Sequence, residues 1–211
     1  KRIAEGGEII KGLTINENDR YSQKEYLFSK SYVARLTGKE FEKDNTPLTK
    51  KVYQFYKDNY GGKVEREGVG TVLLDERSVK DSIAHGVGRN KSIAFAAVPD
   101  IIKEGAIIDR QSNWKGRGYG SVTFAAPVQI GKEGYVGVVV ANEVSMSDGS
   151  HRFYLHEVVL QKNLQSEEFK TGINTGSKLG EIAKVLRKIA LAEKTDKDNN
   201  STFRGKDTNI F

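Results

Sequence analysis

Three consecutive strand patterns in the second half of the chain restrict it to folds that contain an antiparallel sheet. The first, Ser121–Ile130, alternates apolar residues with smaller ones, as a strand with one face in the core does. The second, Tyr135–Ala141, is almost continuously apolar, which is typical of a central strand, and Phe153–Leu160 is the third. The turn-forming residues Ser147–Ser150 lie between the last two. Connections this short predict an antiparallel meander.

Helix patterns come before this meander. Thr46 and Pro47 predict the start of one helix, because Thr caps helices and Pro is preset for the first helical position. Gly61 ends this helix, and its apolar face consists of Leu48, Val52, Phe55 and Tyr56. Asp75–His85 predicts a second helix, whose inward residues are Val79 and Ile83. Asn90 predicts the cap of a third helix.

Short strand patterns complete the plan. Ala106–Asp109 predicts a strand that precedes the meander and joins it, while Ser31–Leu36 and Val69–Leu74 are further short strand patterns. Helices first and a sheet second is the α+β arrangement. We therefore expect N-terminal helices packed on a four-stranded antiparallel β-sheet.

The two ends of the chain are predicted to flank one central domain. We expect an N-terminal extension over residues 1–32, the domain over residues 33–161, and a C-terminal segment over residues 162–211. Within that last segment, Lys178–Ala192 predicts an amphipathic helix, which we expect to be appended to a domain that folds without it. Residues 193–211 are polar and are predicted to be disordered.

The composition excludes several kinds of chemistry. The 211 residues include no Cys, which rules out disulfides, thiolate nucleophiles and the zinc site of deaminases. The three histidines, His85, His151 and His156, are too few for a closed His-rich metal site, and His151 falls in a turn where we expect it to be solvated. No apolar run approaches the roughly 18 residues of a membrane helix. We therefore expect no metal, no cofactor and no membrane partner.

The formal net charge of +6 favours a polyanionic partner only weakly. The stretch Ile83–Lys91 is the first place where such a partner would bind, because His85 at a helix end is followed by two glycines and two cations. A phosphate would lie against the next helix start, close to Arg89 and Lys91. The alternative is a helix–turn–helix elbow in which His85 stabilises the helix C-terminus.

A glycine-rich stretch between two strand patterns is the second candidate. In it the aromatic residues Trp114 and Tyr119 are interspersed with the cations Lys115 and Arg117. Aromatic rings stack on bases and cations pair with phosphates, so the stretch predicts a nucleic-acid contact. The alternative is a flexible loop whose Trp114 packs on the core.

The third candidate is the strand pattern that contains His156. Strict alternation puts His156 on the face of Tyr154, and puts Glu157 on the opposite face with Phe153 and Leu155. A histidine in an otherwise apolar strand is unusual. The alternative is a core histidine with satisfied hydrogen bonds.

These residue types match one reaction. Cleavage of RNA through the neighbouring 2′-hydroxyl needs a group that removes the hydroxyl proton, a group that protonates the leaving 5′-oxygen, and cations that stabilise the phosphorane. Histidine suits proton transfer because its ordinary pKa lies near neutrality. The sequence supplies these groups without showing that they meet in space.

Several motifs in order resemble one family, the third large polyvalent protein-associated domain of phage and conjugative-element proteins. The resemblance spans about residues 33–161. The motifs that carry it are Lys80–Gly86, Ala96–Pro99, Ile108–Tyr119, Ala126–Val128 and Phe153–Val158. The family occurs in C-terminal parts of MuF-like head-morphogenesis proteins.

The arrangement is similar to the barnase–EndoU–colicin–RelE group of nucleases, and this similarity implies a function. Members of that group cleave RNA without a metal, and tRNA is a frequent target. The resemblance implies that His85 and His156 are the acid/base pair, in either order, and that Lys115 and Arg117 bind the scissile phosphate. Arg89 and Lys91 would lie nearby, and Trp114 and Tyr119 would contact the substrate. Glu157 is a candidate for the catalytic glutamate of barnase, although its predicted face argues against it.

Two other functions fit the same sequence. One is a non-catalytic module of a phage polyprotein that binds nucleic acid or protein through the basic loop. The other is an ADP-ribosyltransferase effector, which would need a catalytic Glu such as Glu157. For the ribonuclease we expect RNA as the substrate, an acidic immunity or antitoxin protein as a partner, and the bacterial cytoplasm as the place of action after delivery by a phage particle or secretion.

Overall fold

The computed structural model of the chain describes residues 15, 17–84, 88–112, 119–148, 151–162, 164–171 and 180–194. In these residues a seven-stranded mixed sheet is strongly curled into a half-barrel. The strands are β1 Ala34–Leu36, β2 Lys63–Arg66, β3 Gly70–Leu73, β4 Ala106–Gln111, β5 Ser121–Ile130, β6 Glu133–Ser145 and β7 His151–Gln161. The helices are α1 Arg20–Phe28, α2 Leu48–Tyr60, α3 Glu76–Ala84, α4 Arg89–Ala94, α5 Val98–Glu104, α6 Glu167–Thr171 and α7 Gly180–Ala190, with a 3₁₀ turn at Phe95–Ala97.

The predicted meander exists, but it is only part of the sheet. Strands β4, β5, β6 and β7 pair antiparallel in that order. The prediction of a four-stranded antiparallel sheet is nevertheless wrong, because β1 adds to β5 in parallel, β3 adds to β7 in parallel, and β2 pairs with β3. The three extra strands have three or four residues each, which is too short for a readable alternation.

The sheet separates two hydrophobic cores. The face of β5 that carries Phe124, which we call the first face, packs with buried residues of α2, α3, α4 and α5. All four alternating residues predicted for β5 lie in this core: Val122, Phe124, Ala126 and Val128. The opposite or second face, which carries Ala125 and Val138, packs with α1, α6 and α7.

Helix α2 follows its sequence pattern. Val52 and Tyr56 are completely buried, and Leu48 and Phe55 pack against the first core. Gly61 ends the helix in the left-handed region, with φ 64°. Thr46 does not cap it, because Pro47 occupies the cap position and no side chain bonds to the helix start.

The helices that follow differ from the prediction in one detail. Gly88, not Asn90, is the cap residue of α4, and it cannot supply a side-chain bond. Pro99 lies in the first turn of α5, where its missing N–H costs no hydrogen bond. The run from α4 through the 3₁₀ turn to α5 is therefore continuous, and it is buried from Ser92 to Pro99 and again at Ile101 and Ile102, while both of its ends are exposed.

Helix α7 packs in the second core, whereas the sequence predicted an appended helix, so we now expect the domain to need it. Leu186, Ile189 and Ala190 are at most 2% exposed and lie in the second core with Leu27 of α1 and Ile108 of β4. The predicted amphipathic stripe exists, and the surface it covers is the second face of the same chain's sheet. Without it, that face would expose apolar side chains to water.

Truncation after Gln161 should therefore abolish cooperative folding. The shortened chain loses α6 and α7 and exposes the second face, whose burial contributes about 25 cal/mol per Å² of apolar area. Chemical denaturation followed by circular dichroism measures the transition. A matched truncation after Lys194 should unfold cooperatively; a cooperative transition in the shorter chain as well would contradict the assignment of α7 to the core.

Asp19 anchors the start of α1, where its carboxylate accepts hydrogen bonds from the backbone amides of Tyr21 at 3.0 Å and Ser22 at 3.1 Å. Asp19→Ala should lower the free energy of unfolding by about 0.5–2 kcal/mol at neutral pH, the usual cost of losing a helix cap. Asp19→Asn keeps an acceptor and should lose much less.

The difference in free energy of unfolding between wild type and Asp19→Ala should depend on pH, because the pKa of Asp19 is shifted. The Ser22 hydroxyl, then the Ser22 and Tyr21 amides, hold that pKa below its ordinary value. A lowered carboxyl pKa stabilises the fold above the pKa of the unfolded chain, and this stabilisation disappears as the pH falls through the folded pKa. The alanine and wild-type curves should therefore converge in acid. A constant difference at every pH would show that the charged form of Asp19 contributes nothing.

Candidate active site

A β-bulge at His156 changes which residues of β7 share a face. Ala141 of β6 lies opposite Leu155, and Val140 lies opposite Glu157, so His156 has no opposite residue. The extra residue shifts the alternation by one position. Leu155 and Val158 consequently lie in the same core, although strict alternation puts them on opposite faces.

The predicted facing of Glu157 is therefore wrong. Glu157 pairs with Val140, and Val140 pairs with Thr123, so the three residues form a row on the second face. The face that holds Phe153 and Leu155 is the first. The objection to Glu157 as a reactive group, which rested on its sharing an apolar face, does not hold.

His156 lies beside a neighbouring aromatic ring. Its imidazole meets the ring of Tyr154 edge-on, with centroids 6.4 Å apart and an interplanar angle of 89°. Its relative exposure is 8%, so only a small part of the side chain reaches solvent. The contact with Tyr154 places the imidazole next to the row that Tyr154 forms with Asn142 on the second face.

Three buried polar side chains on the second face form what we call the polar floor: Ser121, Thr123 and Asn142. Ser121 and Asn142 are direct cross-strand neighbours, and Thr123 is two residues from Ser121 on the same face of β5. Their relative exposures are 3%, 6% and 0%. In the described part of the chain, neither the nitrogen nor the oxygen of the Asn142 amide has a hydrogen-bond partner. Such an arrangement is uncommon, since most buried polar groups are paired.

Four half-buried residues flank this floor on the neighbouring strands β4 and β7, and we call them the rim: Asp109, Gln111, Tyr154 and Glu157. Asp109 pairs with Thr123 and Gln111 with Ser121 on one side, and the Gln111 amide donates to the Asp109 carboxylate at 2.8 Å. Tyr154 and Glu157 stand on the other side, on β7. The rim therefore carries two carboxylates, an amide and a phenol around a neutral floor.

A cavity at the edge of β7 adjoins Glu157. It has a volume of about 310 Å³ and is lined by Glu157 and the residues after it, together with Lys91 and Asn90 of α4, Tyr135 and Lys162. Asn90 contacts the Tyr135 hydroxyl at 3.5 Å. Lys162 forms an ion pair with Glu133. The cavity thus brings Lys91, predicted to bind substrate, to the same strand edge as Glu157.

The remaining predicted residues divide into two groups. The guanidinium of Arg89 donates to the backbone carbonyls of Gly38 at 2.9 Å and Phe41 at 3.2 Å, which gives it a role in holding the loop before α2. Tyr119 is half-buried just before β5. The residues His85, Trp114, Lys115 and Arg117 lie outside the described residues, and their roles stay predictions.

Sequence reasoning missed the polar floor. A signal existed, because Ser121 and Thr123 are polar residues on alternate positions of an otherwise apolar strand, and Asn142 follows an apolar run. That signal is weak, since polar residues on alternate strand positions usually face water. Only the pairing of β5 with β6 shows that the three side chains lie side by side and are buried.

Two further findings concern metals and membranes. Among the described residues, no group of three or more His, Asp or Glu side chains is arranged to hold a metal ion. None of the helices in the described part of the chain has the length and apolar content needed to cross a bilayer.

The Asn142 side chain generates a prediction about stability. Asn142→Leu replaces a buried unpaired amide by an apolar group of similar shape, which should raise the free energy of unfolding by about 1–3 kcal/mol. Gln129→Leu is the control, because the Gln129 amide oxygen accepts a hydrogen bond from Arg35 and its removal offers no such gain. Denaturant titration measures both variants. An Asn142→Leu protein that is less stable than wild type would mean that the amide has a partner in solution.

Comparisons with known proteins give one match. The family model for large polyvalent protein-associated domain 3 matches residues 43–154, which is more than half of the chain, and this confirms the resemblance seen in the sequence motifs. No curated protein and no solved structure matches the chain.

Proposed function

We propose that this chain, which belongs to the large polyvalent protein-associated domain 3 family, is a metal-independent ribonuclease domain of phage or mobile-element origin. The observation that carries the proposal is the β-bulge in β7, which places a histidine and a carboxylate at adjacent positions beside the polar floor. Both groups are suited to proton transfer, and Lys91 of α4, a helix that packs on the first face, lines a cavity at the same β7 edge as Glu157.

The reaction needs three functions, and this site offers a residue for each. Glu157 accepts the proton of the 2′-hydroxyl as that oxygen attacks the phosphorus. His156, in its protonated form, donates to the 5′-oxygen as the bond to phosphorus breaks. Lys91 stabilises the charge that develops on the phosphoryl oxygens. The products are a 2′,3′-cyclic phosphate and a free 5′-hydroxyl.

His85 is the rival of Glu157 as the second proton-transfer group. The sequence pairs His85 with His156, whereas the bulge adds Glu157 as a neighbour that the sequence argued against. Separate variants of the two residues decide between them, because only the true partner of His156 should be needed for proton transfer.

The glycine-rich stretch that contains Lys115 and Arg117 would extend the proposed site. Gln111 and Ser121 end β4 and begin β5, and they pair with each other at the polar floor. In the sequence, Trp114, Lys115 and Arg117 fall between these two residues. We propose that Lys115 and Arg117 bind the RNA backbone there, with tRNA as a target and an acidic immunity protein as the natural inhibitor.

Substitution of His156 tests the proposal most simply. His156→Gln should lower the single-turnover rate of RNA cleavage by about 10²–10⁴-fold, which is the usual contribution of one general acid or base. His151→Gln is the matched control and should cleave at nearly the wild-type rate. Glu157→Gln and His85→Gln are compared in the same assay, and the partner of His156 should show a loss of similar size.

Excess EDTA tests the metal independence in the same assay. Cleavage should continue unchanged, and complete loss that a divalent ion restores would contradict the proposed chemistry. RNA binding without any cleavage would instead favour a non-catalytic accessory module. Thermal melting of each variant is measured alongside, because His156 lies in a sheet and its replacement also affects stability.

A further inference from the structure

We infer that a second cavity, on the second-face side of the sheet, binds a nucleotide, with the base inside the cavity and the phosphate at Lys30. This cavity has a volume of about 500 Å³ and lies between the end of α1, strands β5 to β7 and the segment before α6. Small-molecule sites usually have volumes of about 300–1,000 Å³, so a nucleotide fits. The inference goes beyond the proposed ribonuclease, because the described residues that line this cavity include none of the groups assigned to proton transfer.

The inner side of the cavity is largely apolar. Pro127, Val136 and Gln161 are cross-strand neighbours on β5, β6 and β7, and they form a row on the second face. Pro127 and Val136 are buried. Leu27 of α1 and Leu164, which are also buried, face this row from the helical side. The planar part of a ligand would therefore lie against apolar surface.

The outer side of the cavity opens to solvent. Lys30, Gly134 and Gln165 all line the cavity, and all three are exposed. A ligand can therefore enter between the end of α1 and the start of β6. Lys30 lies on this outer side, where a phosphate that stays partly hydrated can pair with its ammonium group.

Tyr32 supplies an aromatic wall that is held in place before any ligand binds. Its hydroxyl end lies so close to Gly134 that a Cβ atom there would be 2.8 Å from the hydroxyl oxygen. The guanidinium of Arg35 lies over the ring, 4.9 Å from its centroid. A base would meet the ring on the side that Arg35 does not cover. Phe28, half-buried at the end of α1, adds a second ring to the lining, and rings of both kinds stack on bases.

The polar groups of the lining match the edge of a base. The Gln161 amide donates to the carbonyl of Lys162 at 2.9 Å. An amide has two donor hydrogens and an acceptor oxygen, so Gln161 can also pair with a ligand, and Gln165 offers a second amide. Of the described residues that line the cavity, Lys30 is the one that carries a charge. Such a lining selects a ligand with a neutral, planar and polar part and one anionic group, which describes a nucleotide.

The position of the cavity separates it from the proposed catalytic groups. Gln161 follows Glu157 by four residues on the same face of β7, which corresponds to about 13 Å at roughly 3.3 Å per residue. One nucleotide does not span this distance. The bound nucleotide is therefore either a residue of an RNA strand away from the cleaved bond or a free mononucleotide that takes no part in cleavage.

Titration calorimetry with small probes tests the inference separately from cleavage. The probes are the four nucleoside 5′-monophosphates, the four nucleosides, and ribose 5-phosphate, which has no base. One monophosphate should bind about tenfold more tightly than ribose 5-phosphate, because only the base stacks on the aromatic wall. Lys30→Glu should weaken that monophosphate severalfold and leave its nucleoside unchanged. Lys80→Glu is the matched control and should change neither, because Lys80 is exposed on α3, which packs on the first face.

Nuclear Overhauser contacts give a second readout that needs no variant. Base protons of the preferred monophosphate should show contacts with ring protons of Tyr32 or Phe28. The absence of these contacts, or equal binding of ribose 5-phosphate and all four monophosphates, would overturn the inference.

A hexanucleotide of the preferred base identifies the source of the nucleotide. It is made of DNA, which lacks the 2′-hydroxyl and is not cut. Tighter binding of the hexanucleotide than of the monophosphate supports a residue of a nucleic-acid strand, and weaker binding supports a free nucleotide. Nucleotide binding by a chain that does not cleave RNA would refute the proposed ribonuclease while retaining this site, and cleavage without nucleotide binding would do the reverse.

Discussion

The pairing of β6 with β7 around the bulge at His156 determines which residues of the last strand can meet a substrate. Without the extra residue, Glu157 would lie on the first face with Phe153 and Leu155, inside the core. With it, Leu155 and Val158 both reach that core, and Glu157 turns to the second face. Bulges recur next to active sites because one residue re-aims the side chains that follow it. The proposed chemistry depends on this local change.

The two cores on either side of the sheet explain why the second face can hold a polar site. The first core contains the larger set of helices and buries first-face residues such as Phe124 and Leu155. The second core, formed with α1, α6 and α7, covers the part of the sheet around Ala125 and Val138. The polar floor lies on the same face, two residues further toward the start of β5. Polar groups are therefore kept where they do not interrupt the packing of the helices.

The strongly periodic elements could be predicted from the sequence, and the short or irregular ones could not. Helix α2 and the β5 face with Phe124 follow from periods of 3.6 and 2. Helix α1 lies in a polar segment and β2 has only four residues, so neither gives a pattern. The sequence motifs also identify the family correctly. The bulge escapes prediction because alternation assumes an uninterrupted ladder, and the burial of Asn142 depends on long-range pairing.

The chemistry of the RNA ends tests the central claim most directly. Purified chain is incubated with a mixture of tRNA in excess EDTA, and the fragments are analysed by mass spectrometry. Attack by the 2′-hydroxyl predicts fragments that end in a 2′,3′-cyclic phosphate and partners that begin with a 5′-hydroxyl. Fragments with 3′-hydroxyl and 5′-phosphate ends, or intact RNA at every enzyme concentration, would contradict the account.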